Sequence, residues 1–155
     1  MKLMSNPNKI KGTAFENLAA ELLNRLIRKS KWKRVIGSGA FGTIMHEPSL
    51  SSDVKGEVGS IPQEFKVECK VGYNNSKAEG VKQFTLKKEW LDKVKVEADQ
   101  SYAIPMFMGK FLGAREGVKV FVVLDVETFA DLINRITELT EELANDGINP
   151  FKSLE

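Results

Sequence analysis

Glu68 and Lys70 stand two apart on the most regularly alternating stretch of the sequence, and Asp53 lies 15 residues upstream. Residues two apart on a strand share a face, so this carboxylate and ammonium project side by side. As a lone surface ion pair they would contribute only about 0–1 kcal/mol. Asp53 gives them chemical meaning. The intervening chain is long enough for a hairpin whose adjacent strands bring both carboxylates together. Two acids held close repel one another unless a cation joins them. Carboxylate oxygens suit a hard ion, Mg²⁺ first and Mn²⁺ as a substitute. Such an ion can neutralise charge growing on a phosphodiester and make hydroxide from water. On this reading Asp53 and Glu68 supply two oxygens and the backbone carbonyl of Cys69 a third. Lys70 orients the attacking water or stabilises the transition state. Glu57 is a rival for the second acid.

The elements that must position these groups follow from periodicity. Phe15, Leu18, Ala19, Leu22, Leu23 and Leu26 recur at helical spacing over residues 13–28, with Glu16 at the rim of the stripe. Residues 32–36 read as a strand, and Asp53 opens a short one near Val54 to Val58. In Glu64 to Val71, Phe65, Val67, Cys69 and Val71 alternate with Lys66, Glu68 and Lys70. One face is expected to pack and the other to carry charge. Thr85 is placed to cap a second helix marked by Leu86, Trp90, Leu91, Val94 and Ala98. Strands follow at Tyr102 to Lys110 and Val118 to Leu124, with Gly109, Gly113 and Gly117 punctuating their connection. Asp125 can cap a last helix holding Phe129, Leu132, Ile133 and Ile136. The order is α-β-β-β-α-β-β-α, a single α/β domain with a mixed sheet flanked by helices. Its core spans about residues 9–135, and 136–155 form a helical extension and tail.

The 155 residues suit one ordinary core. No apolar run approaches a membrane span and no signal peptide opens the chain, so no membrane partner is expected and the location is cytoplasmic, or host-cytoplasmic. One cysteine and one histidine exclude disulfides and Cys/His metal cages. Cys69 reads as a small core residue, and His46 as a polar loop residue. The net charge of +2 conceals an asymmetry. Residues 1–36 carry nine Lys/Arg against two acids, and residues 125–155 carry two against eight. A basic end attracts phosphate backbone. Lys9, Lys11, Arg34, Lys87, Lys88 and Lys110 are the candidate DNA contacts.

Gly37-Ser38-Gly39-Ala40-Phe41-Gly42 matches G-x-G-x-x-G. Glycines of that kind let backbone N–H groups approach phosphate. A dinucleotide site needs a helix directly after the loop, and Thr43 to Pro48 does not start one. The kinase H-R-D and D-F-G signatures are absent. No nucleotide cofactor is expected. Gly37, Ser38 and Gly39 read instead as a loop that can come close to a DNA backbone.

Taken in order, Glu16, Gly37-Ser38-Gly39, Asp53 and Glu68-x-Lys70 resemble the PD-(D/E)XK nucleases. Within them the chain looks most like archaeal-type Holliday junction resolvases. The resemblance rests on Lys11-Gly12-Thr13-Ala14-Phe15-Glu16 and on Arg34-Val35-Ile36-Gly37-Ser38-Gly39. It implies a restriction-endonuclease-like core and an active site of Glu16, Asp53, Glu68 and Lys70, with Glu16 joining the metal ligands. It implies a contacting or supporting role for Ser38, and a homodimer that cuts opposed strands of a four-way DNA junction. Three features depart from the pattern. Gly39 and Asp53 are 14 residues apart, Ser52 replaces the expected proline, and nothing after about residue 136 has a counterpart. A nuclease without junction preference and a non-catalytic nucleic-acid-binding module remain alternatives.

Overall fold

The computed structural model describes residues 7–36, 52–59, 61–72 and 82–149. Helix α1 (Pro7–Leu26) opens the chain. Proline suits a first helical turn, where its missing N–H would have no partner. The helix therefore begins six residues before the expected start, taking in Lys11 and Gly12. Strands β1 (Ser30–Arg34), β2 (Val54–Val58) and β3 (Phe65–Val71) follow. Then come helix α2 (Lys88–Asp99), strands β4 (Ile104–Lys110) and β5 (Val120–Val123), and helix α3 (Val126–Asn145). The expected order of elements is the one observed. Their sheet runs β1-β2-β3-β4-β5, with β3 and β4 parallel and the other neighbours antiparallel. A parallel pair needs a crossover, and α2 lies within it.

Met1–Val123 form one compact unit and Leu124–Glu155 another. In the first, α1 packs on β1, β2 and β3, while α2 packs on β3 and β4. Phe15, Ala19 and Leu23 of α1 are buried. Asn24 ties this helix to the sheet edge by imitating a peptide. Its side-chain nitrogen donates to the Trp32 carbonyl, and its oxygen accepts from the Trp32 N–H, both at 2.8 Å. The outer rim of β1 is thereby paired, which guards an edge open to wrong partners.

Two glycines let aromatic rings close on the sheet. A Cβ at Gly56 would lie 2.2 Å from the Trp32 ring, and one at Gly109 would lie 2.2 Å from Phe121. Gly109 is thus a strand residue, not part of the β4–β5 connection. Phe84 packs edge-on against Trp90, Phe107, Phe111 and Phe121.

Two further expectations are corrected. Thr85 does not cap α2, because the helix starts at Lys88 behind Lys87, which makes no side-chain cap. The charged face of β3 is not solvated. Lys66 and Glu68 are fully buried, because α2 covers that side. Asp125 does cap α3, its Oδ1 accepting from the Thr128 N–H at 3.1 Å.

Candidate active site

The antiparallel register of β2 and β3 pairs Val54 with Val67. One further step sets Asp53 across from Glu68, so the two acids share the face covered by α2. Three backbone bonds fix Asp53. Its carbonyl accepts from Val35 at 2.9 Å and its N–H donates to Val67 at 3.0 Å. Its carboxylate Oδ2 accepts from the Cys69 N–H at 2.8 Å.

Ser52 explains the missing proline. It is buried with φ +73°, and its Oγ donates to the Val54 carbonyl at 3.2 Å. Proline is locked near −65° and cannot make this turn.

Glu68 is fully enclosed and flanked by two ammonium groups. Lys70 Nζ lies 2.6 Å from Oε1, as the E-x-K spacing anticipates. This contact is an ion pair between strand neighbours two apart. Lys93 Nζ, from α2, donates to Oε2 at 2.9 Å. Lys93 also lies 3.8 Å from Glu97, one turn further along the helix. The sequence alone does not single out Lys93 as a site residue. Its i, i+4 spacing to Glu97 was visible, but the fold alone brings it to Glu68.

The electrostatics follow from enclosure. Burial, and then the Glu68 charge, push the Asp53 carboxyl up to about 6, against the pull of the Cys69 N–H and Lys70. Burial alone would lower Lys70 and Lys93, but Glu68 and Asp53 carry both above the ordinary lysine value. Burial and the neighbouring Asp53 raise the Cys69 thiol well above its ordinary range. That keeps it a protonated core group, as expected.

Glu16 is turned to Arg34, whose Nε donates to its Oε2 at 2.5 Å. Arg34 also reaches the Thr13 hydroxyl at 3.4 Å. The two segments that carried the resolvase resemblance therefore meet in space, and Arg34 has a carboxylate partner within the protein. Lys87 and Lys70 lie 5.5 and 5.7 Å from the Trp90 ring centre. Lys88 pairs with Asp92 at 2.6 Å on the helix surface. Lys11 is exposed and Lys110 partly buried at the end of β4. Glu57 is exposed on β2, two positions beyond Lys55. Gly37, Ser38, Gly39, His46 and the Lys9 side chain lie outside the described residues.

The donor set fits a hard divalent cation. It offers carboxylate oxygens, it already gathers positive charge, and its acids hold one another at raised energy. Residues two apart on a strand turn their peptide groups to the same side. Val67 bonds toward Asp53, so the Cys69 carbonyl opens on that side too, beyond the start of β2. Among the described residues, no three His, Cys, Asp or Glu side chains already form a metal cage.

A mixed sheet with a helix across its parallel pair, carrying Asp53 on one strand and Glu68-x-Lys70 on the next, defines the class of PD-(D/E)XK nucleases. The family model for phage putative PDDEXK endonuclease matches residues 7–148, and the chain belongs to that family. The family is described as one of putative endonucleases, and its superfamily typically uses a divalent metal. No curated protein matches it. Among the described residues no helix is long and apolar enough to cross a membrane.

Proposed function

We propose that the protein is a Mg²⁺-dependent endodeoxyribonuclease that resolves four-way DNA junctions, acting in the host cytoplasm. The observation that carries the nuclease reading is the convergence of Asp53 and Lys70 on the buried Glu68 carboxylate. Asp53, Glu68 and the Cys69 carbonyl would hold the ion, and Mn²⁺ would replace it. When bound, the ion offsets negative charge on the phosphate and activates water. Lys70 holds its ammonium 2.6 Å from Glu68, where it can orient the nucleophile or meet the developing charge. Glu16 acts through Arg34, whose bonds to Glu16 and Thr13 tie the end of β1 to α1.

Support for a junction as substrate comes from the two resolvase-like segments and from their meeting at Arg34. A junction offers two opposed strands, so a homodimer with two symmetric sites is the matching assembly.

The test is cleavage of labelled four-way junction, linear duplex and single strand, each with Mg²⁺ and with EDTA. Paired nicks confined to the junction are expected. Asp53→Asn and Glu68→Gln should each slow cleavage by at least about a hundredfold. Equal cutting of duplex would remove the junction assignment and leave the nuclease. Binding without cutting under either metal would remove the nuclease reading for this chain.

A further inference from the structure

Lys93 is not part of the E-x-K pair, yet it donates a hydrogen bond at 2.9 Å to the buried Glu68 carboxylate. An isolated carboxylate in such a place would be costly, and two ammonium groups offset that cost. The two are not equivalent. Lys70 stands on the same strand as Glu68, with its side chain 24% exposed. Lys93 reaches down from α2 with its side chain 48% exposed, and Glu97 waits 3.8 Å away as a second partner. Its long stem can leave the pocket without exposing core.

We infer that Lys93 is a positioning residue that acts as a resident counter-cation. It holds the Glu68 carboxylate in place while no metal is bound, and gives way when a divalent cation arrives. This rests on the reading that Glu68 is a metal ligand.

The physical argument is competition for one carboxylate. A divalent ion at Glu68 meets the positive charge of Lys93 across one carboxylate, and the two cations repel at that short range. Lys93 therefore stabilises the metal-free protein and weakens metal binding by the same contact. Removing it should destabilise the first state and favour the second, which are opposite effects of one substitution. A lysine that merely packs on the sheet would change stability equally with and without metal.

The experiment is Mn²⁺ titration by calorimetry at pH 8, beside thermal unfolding in EDTA and in Mn²⁺. It compares wild type, Lys93→Met and Lys88→Met. The last removes an exposed ion pair on the same helix as a control. Lys93→Met should melt lower than wild type in EDTA, bind Mn²⁺ roughly five- to tenfold more tightly, and gain more Tm from it. Lys88→Met should match wild type in both. Equal or weaker Mn²⁺ binding by Lys93→Met would overturn the inference. A wild type that binds no Mn²⁺, while Glu68→Gln is equally inert, would instead remove the metal reading on which it stands.

Discussion

Asp53 is the residue where structure and chemistry bear hardest on each other. Three backbone bonds hold it, and enclosure beside Glu68 pushes its carboxyl up to about 6. A raised folded value means that the folded, metal-free protein holds the proton more tightly than the unfolded chain does. The contribution is therefore fully present below the unfolded value of about 4 and is lost as pH rises through about 6. The loss is on the order of 3 kcal/mol. Denaturant unfolding in EDTA should show stability falling across that window, and Asp53→Asn should flatten the fall. An unchanged slope in the variant would show that Asp53 is not the titrating group. A divalent ion competes with the same proton, so metal affinity should move oppositely, weakening as pH drops below about 6. The chemistry-bearing types were readable in the sequence because E-x-K on an alternating strand fixes a shared face. Lys93 was not readable as a site residue, since a contact 25 residues away depends on how α2 crosses the sheet.

At the scale of elements, periodicity located the eight helices and strands of the described residues, and the misplacements have local causes. The α2 start was missed because Phe84, half-buried against four aromatic rings, anchors the chain ahead of the helix, and Lys87 is still extended. Tertiary packing there overrides the capping signal of Thr85. The burial of Lys66 and Glu68 was missed because alternation of charged and apolar residues reads as one wet face, and only the crossover helix closes it. The entry to β2 shows the same dependence on context. The superfamily's proline is absent because position 52 needs a positive φ. Restoring it as Ser52→Pro should cost about 3 kcal/mol or more and displace Asp53, giving a lower Tm and no metal-induced shift. Ser52→Gly accepts that φ and should keep its metal-induced shift. A Pro variant as stable as wild type would show that the turn is not constrained.

For the whole molecule, the proposed homodimer and the DNA place opposite demands on charge. Helix α3 buries none of its residues, and Phe129, Ile133, Ile136 and Leu139 recur along one stripe, each 43–60% exposed. Two copies of that stripe would shelter one another. The same helix carries Glu127, Asp131, Glu138, Glu141 and Glu142 against one basic residue, Arg135, which pairs with Asp131 at 2.8 Å. Two such helices side by side repel through their flanks while attracting through their stripes. Salt screens the repulsion and leaves the apolar contact intact. Dimerisation should therefore tighten between about 50 and 500 mM salt, a range over which the screening length falls severalfold. Binding to DNA should weaken over the same range, because each phosphate contact made by lysine or arginine gives up its counterion gain. Light scattering coupled to size exclusion, run across that range beside a DNA-binding titration, separates the two. Ile136→Glu should give a monomer at every salt concentration. A monomer that still nicks one junction strand but no longer cuts both in one encounter would tie the assembly to resolution. A variant that stays dimeric would place the interface on another surface.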